Sequence, residues 1–220
     1  MHRRLREALL FHTAFFVAAA AAIALTPMRA FGSVLLMAAV AYQIALPAWS
    51  LMRGHGDWLA LWAFLLPLSL CQPLADWVLV DVAQTLTFPD HGIYRIGGAV
   101  PLYFCGLWTM ALFPVLLAAQ HSRRPWLAVT GAGLLVFAAC EWIARPLGLW
   151  HARNVATVAG VAAYVLVAEV LLCWAALAAY RGTRGSALPV RVVAAAGVSL
   201  LYTGALLWAL LVVDPLFSRG

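Results

Sequence analysis

The chain has 220 residues, 65% of them hydrophobic and only 10% charged, with 14 Lys plus Arg against 8 Asp plus Glu. A soluble domain needs about a quarter charged residues to cover its surface, so this composition (mean hydropathy +0.94) excludes an ordinary soluble enzyme. Every positive side chain is Arg and none is Lys, which also excludes a retinal protein, whose Schiff base needs Lys.

Spanning the hydrocarbon takes about 20 mostly apolar residues per helix. On that basis the sequence predicts seven transmembrane helices, at 7–26, 30–52, 58–82, 98–120, 125–147, 154–180 and 189–213. They form one all-α integral-membrane domain over residues 1–220. The alternation of a membrane β-barrel is absent. The first span follows Arg3, Arg4 and Arg6; its apolar run is long for a signal peptide, so an uncleaved helix is expected. It carries His12, the one histidine inside a span, where a membrane haem needs opposed pairs. The third span carries Asp76, Trp77 and Asp81. The stretch after it, LTFPDHGIYRIG, is the longest non-apolar segment and predicts an ordered cap. The fourth span carries Pro101, Tyr103, Trp108 and Pro114, and the fifth Glu141, Trp142 and Arg145. The sixth carries Tyr164 and Glu169; the seventh carries Trp208 and ends at Asp214-Pro215. Cys71, Cys105, Cys140 and Cys173 fall one each in spans three to six. None forms a clustered metal set, so they read as packing residues and no metal or other cofactor is expected.

The arginines sit in short loops, and topology explains them without nucleic acid. With the N-terminus inside, the inner side holds Arg3, Arg4, Arg6, Arg53, Arg123, Arg124, Arg181, Arg184 and Arg191. The outer side holds Arg29, Arg95, Arg145, Arg153 and Arg219. The excess predicts N-in and C-out by the positive-inside rule, in a bacterial inner membrane. Spacing also hints at a duplicated two-helix unit: Asp81 and Glu141, like Tyr103 and Tyr164, lie about 60 residues apart, a symmetry common in membrane folds.

Carboxyl groups inside a membrane are costly, about 2.5–3.5 kcal/mol at a helix centre, and so are rarely idle. Those of interest are Asp76, Asp81, Glu141, Glu169 and Asp214. At about 1.5 Å rise per residue, Asp76 and Glu141 lie in the outer half of the bundle, with Asp214 at the same end and Glu169 nearer the middle. Glu141 and Arg145 are i,i+4 neighbours that can neutralise each other, and Asp81 and Asp214 can be interfacial. Asp76 has no adjacent cation, which suits it to general acid chemistry. Trp77, Trp108, Trp142, Tyr103, Tyr164 and Trp208 offer ring faces able to stabilise a cation. A protonated acid within an aromatic, apolar cavity suits carbocation chemistry on a lipophilic isoprenoid.

Three segments carry a resemblance to a known family. Pro67 to Val78 (PLSLCQPLADWV), Arg181 to Ser186 (RGTRGS) and Asp214 to Phe217 (DPLF) together resemble the small seven-helix integral-membrane terpene cyclases of fungal meroterpenoid pathways. The resemblance implies a metal-independent, proton-initiated cyclisation of a linear prenyl or prenyl-epoxide substrate, with two membrane acids at Asp76 and Asp214. The family's third-helix acid is usually Glu, preceded by Trp; here Asp76 precedes Trp77, which leaves Asp81 as a rival. The acid-bearing duplication is also similar to membrane lycopene cyclases, whose Pro-x-Glu motif is missing. No DDxxD, GxSxG, HExxH or P-loop is present. Two other readings stand beside the cyclase: a small proton-coupled transporter with acids strung along a through-path and helices broken at Gly160, Pro101 or Pro114, and a structural subunit without chemistry. Substrate identity and oligomeric state are not legible in the sequence.

Overall fold

Each apolar run satisfies its own backbone by closing into a helix, as a chain in lipid must. The computed structural model describes residues 3–27 and 30–217, so Arg29 and Arg219, counted with the outer arginines, lie outside the described residues. The helices are α1 (Arg3–Ala24), α2 (Phe31–Arg53), α3 (Gly56–Cys71), α4 (Pro73–Trp77), α5 (Phe104–Gln120), α6 (Pro125–Ala144), α7 (Ala163–Thr183), α8 (Leu188–Val212) and α9 (Asp214–Phe217). The helix α3 runs through α4 and a π-helical turn (Val78–Val82) as one continuous span, and α9 extends α8. Six of the resulting spans are long and apolar enough to cross a membrane; α5 is the seventh, apolar but only 17 residues long. The chain is therefore a seven-span helical membrane protein.

Two predicted spans begin too early. Residues 98–101, expected to open the fourth span, lie instead in the turn and second strand of a hairpin of β2 (Arg95–Ile96) and β3 (Val100–Pro101); those expected to open the sixth form a hairpin of β5 (Thr157–Val158) and β6 (Val161–Ala162). Left-handed backbone at Gly97-Gly98 and at Ala159-Gly160 turns each hairpin, the geometry that tight β-turns require. Pro101 and Gly160 therefore lie in hairpins and break no helix, while Pro114 sits within α5.

These hairpins reveal a duplication. Each half reads helix, strand, hairpin, helix: α3–α4, β1 (Leu86–Thr87), β2–β3, α5, and then α6, β4 (His151–Ala152), β5–β6, α7. The strand β1 pairs antiparallel with β4, Leu86 opposite Ala152 and Thr87 opposite His151, joining the halves at their centre. The offset that separates β1 from β4 carries Asp76-Trp77 onto Glu141-Trp142, so the duplication equates Glu141 with Asp76 rather than with Asp81. Its second arm carries Tyr103 onto Tyr164 and Trp108 onto Glu169.

The cap is fastened by His91. Its Nε2–H donates to the Gly148 carbonyl at 2.7 Å, leaving Nδ1 to accept from the Tyr103 hydroxyl at 2.8 Å. The ring is buried, so removing it orphans a buried hydroxyl and a carbonyl. His91→Ala is expected to cost about 2 kcal/mol, read as a lowered unfolding midpoint in detergent micelles.

At the opposite end Glu7 binds Arg53 (2.9 Å) and His55 (2.6 Å), locking α1 to the α2–α3 turn. The two ends of the bundle thus differ in character: arginine-rich loops and ion pairs at one, an apolar-lined β cap at the other.

Candidate active site

Under the cap the helices part around a cavity of about 580 Å³. Asp76 enters from α4, where the α3 span tightens and then widens into its π turn. Such turns recur at functional sites because they re-aim neighbouring side chains. Glu141 enters from the last turn of α6, and Glu169 from the second turn of α7. Since α7 starts at Ala163 rather than at 154, Glu169 is about 9 Å from the helix start and lies toward the cap end of the bundle with the other two, not near the middle.

All three carboxyl groups line the cavity, and no Arg, Lys or His lines it among the described residues. Asp76 is 5% exposed and Oδ2 accepts from Trp108 Nε1–H at 3.3 Å. Glu141 Oε1 accepts from Trp150 Nε1–H at 2.9 Å. No Glu141–Arg145 pair forms, because Arg145 is exposed while Glu141 turns inward. Glu169 is 4% exposed and its buried Oε2 has no partner among the described residues. The three lie within electrostatic reach of one another. Buried charges ordinarily pair with a counter-charge, so three acids without a cation form an unusual site.

The remaining wall is apolar and aromatic. Trp108 stands with its ring centroid 5.8 Å from Phe137 and 5.4 Å from Tyr202, and Phe104 packs on Phe88 and Trp150. Tyr164 lines the cavity and donates its hydroxyl to Thr85 Oγ1 at 2.8 Å, crossing from one half of the duplication to the other. Phe16 and Ala20 of α1, Ala139 and Ile143 of α6, and Leu147 just beyond it line the cavity and are themselves exposed.

The other residues singled out in the sequence lie elsewhere. Asp81 is exposed in the π turn. Asp214 accepts from the Ala156 backbone N–H at 2.9 Å, tying the end of α8 to the second cap loop outside the cavity. Trp77 packs over Gly97 of the first hairpin, Tyr103 is held by His91, and Trp142 and Trp208 are 66% and 52% exposed toward lipid. Trp150, Tyr202 and Phe137 were not singled out, nor was the pairing of Asp76 with Glu141. The repeated acid–Trp dipeptide, Asp76-Trp77 and Glu141-Trp142, is the sequence signal that reveals that pairing.

A family model, described as a domain of unknown function (DUF6989), matches residues 73–213, well over half of the chain. The chain belongs to this family. The matched stretch holds both halves of the cap and all three cavity acids, and leaves α1, α2 and α3 outside it. No curated protein and no solved structure matches the chain.

Proposed function

We propose that this member of the DUF6989 family is a membrane terpenoid cyclase that cyclises a linear prenyl or prenyl-epoxide substrate by protonation. One observation carries the reading: three carboxyl groups, with no cation beside them among the described residues, share a single apolar, aromatic-walled cavity. A polyprenyl chain dissolves in the bilayer and reaches that cavity between α1 and α6. A carboxyl proton then adds to a terminal C=C, or to an epoxide oxygen with cleavage of its C–O bond, leaving a tertiary carbocation. The π electrons of the next double bond form the new C–C bond. Loss of a proton from carbon to a carboxylate regenerates an alkene and returns the proton to the protein, so the product is an isomer of the substrate. The chemistry needs no metal, only an acid, a base and exclusion of water.

Asp76, oriented by the Trp108 N–H, is assigned as the acid, and Glu169, with an unpartnered oxygen, as the proton acceptor. Glu141 sets the charge of the pair. Trp108, Phe137 and Tyr202 present ring faces toward the developing cation. Trp77, Trp142, Tyr103 and Trp208 take no part. The grouping of the acids at one end also favours a cyclase over a proton-coupled transporter, which needs a titratable path across the bundle. On this reading the protein works in a bacterial inner membrane, its cavity in the outer half.

Co-expression with linear prenylated quinols, their epoxides and free polyprenols tests the proposal. A product of unchanged mass and new retention time is expected by mass spectrometry, absent with Asp76→Asn. If no substrate yields an isomer while proton flux appears in liposomes, the cyclase is overturned in favour of the transporter.

A further inference from the structure

A second cavity, of about 270 Å³, lies at the opposite end of the bundle. It forms where the start of α1, the start of α3 and the ends of α5 and α7 meet, and is lined by Arg4, Asp57, Gln120, Tyr180, Arg181 and Arg184. His121 also borders it, with its Nδ1–H turned back to the Leu117 carbonyl at 3.0 Å. Arg4 is engaged by Asp57 at 3.1 Å. Arg181 and Arg184 have no acidic partner among the described residues. One turn apart, Arg181 in the last turn of α7 and Arg184 at its C-cap, they share a face of the helix end.

Arginines at a helix C-terminus and on an inner face have ordinary explanations in the helix dipole and in topology. Those explanations do not account for the polar atoms beneath them. The Tyr180 side chain is 0% exposed and its hydroxyl has no hydrogen-bond partner among the described residues; Gln120 Nε2 and Asp57 Oδ1 are likewise buried without partners among them. Three orphaned polar atoms around one cavity are expensive unless a ligand completes them. Tyr180 and Gln120 offer donors, Asp57 Oδ1 an acceptor, and the surplus charge is positive.

We infer that this cavity is a binding site for a phosphate ester that also carries a hydroxyl group. Arg181 and Arg184 bind the phosphate oxygens, a geometry for which guanidinium is suited. Tyr180 and Gln120 donate to the oxygen that reaches deepest, and Asp57 Oδ1 accepts from the ligand hydroxyl. Two sources present that chemistry at a membrane surface: the headgroup of a lipid such as phosphatidylglycerol, or a water-soluble phosphate ester. The inference is independent of the cyclase reading.

Two arms separate the sources. In the first, the protein is extracted from mixed phosphatidylcholine–phosphatidylglycerol vesicles and retained lipid is counted by native mass spectrometry. In the second, glycerol 1-phosphate is titrated by calorimetry into protein held in phosphatidylcholine nanodiscs. A lipid ligand predicts retained phosphatidylglycerol, and a soluble ligand predicts saturable heat. In whichever arm binds, Arg181→Gln with Arg184→Gln lowers affinity about tenfold or more. Tyr180→Phe lowers it about threefold while leaving the unfolding midpoint unchanged or raised, because the hydroxyl it removes has no partner among the described residues. The pair Arg123→Gln with Arg124→Gln, exposed on the same face outside the cavity, leaves it unchanged. Absence of binding in both arms overturns the inference. So does an equal loss in the Arg123/Arg124 control, which signals diffuse attraction to anionic lipid, or Tyr180→Phe binding as tightly as the parent.

Discussion

Asp76→Asn and Glu169→Gln are each expected to lower isomer formation by about 10²–10⁴-fold, the range for loss of a general acid or base, and Glu141→Gln, which alters only the charge beside them, by less. Asp81→Asn and Asp214→Asn are expected to leave it close to the parent. The amides keep the shape of the carboxyls and, at Asp76 and Glu141, an oxygen that accepts from Trp108 and Trp150. What they lose is the proton. Folding is not the casualty: an amide avoids burying charge in a cavity without cations, so unfolding midpoints of the three variants should match or exceed that of the parent. Activity and stability then move in opposite directions, which a structural role does not produce. Because the acids share one site, a double variant should be little worse than the worse single variant, as in other groups that act as a unit. Equal losses from Asp214→Asn would move the chemistry toward the α8–α9 end and away from the cavity.

The contrast between Asp76 and Asp214 shows where sequence reasoning stops. Depth follows from counting residues along a helix, and both acids do lie toward the same end. Rotation about the helix axis does not follow from depth, and it turns Asp76 into the cavity while Asp214 meets the backbone of Ala156. Glu141 shows the same limit. Its i,i+4 relation to Arg145 identifies a pair that can meet, but the chain bends at Gly148 (φ 66°) and brings Trp150 back to the carboxyl instead. The seven helices themselves were legible, since hydropathy and length suffice for them. The hairpins were hidden because Val100-Pro101 and Val161-Ala162 are as apolar as the helices they precede. The duplication was glimpsed with the wrong acid, since no single offset fits it: the connection from β1 to β2 is longer than that from β4 to β5. An alignment on Tyr103 and Tyr164 therefore slides Asp81 to within one residue of Glu141.

Glu7 was not weighed among the membrane acids, yet its loss is expected to have the largest effect on the fold. The carboxylate is 7% exposed and takes Nη2–H of Arg53 at 2.9 Å, Nε–H of the same guanidinium at 3.4 Å and Nε2–H of His55 at 2.6 Å. Breaking a buried ion pair from one side costs about 3–5 kcal/mol. Arg53 is 41% exposed and regains water, so Glu7→Ala is expected to cost about 2–3 kcal/mol. The consequence reaches the cavity through α1. That helix is tied by Glu7 and by His12, whose Nδ1–H is held by the Ala8 carbonyl so that Nε2 accepts from the Tyr42 hydroxyl at 2.8 Å. Beyond His12, no side-chain hydrogen bond joins α1 to another helix among the described residues, and it is this half, from Phe16 to Ala24, that lines the cavity. One end of α1 is a polar anchor and the other an apolar flap. Hydrogen exchange should therefore be faster over residues 16–24 than over residues 5–12 in the parent. Glu7→Ala should narrow the difference by loosening the anchored end, with a lowered unfolding midpoint. Uniform exchange along α1 in the parent would mean that α1 plays no part in admitting substrate.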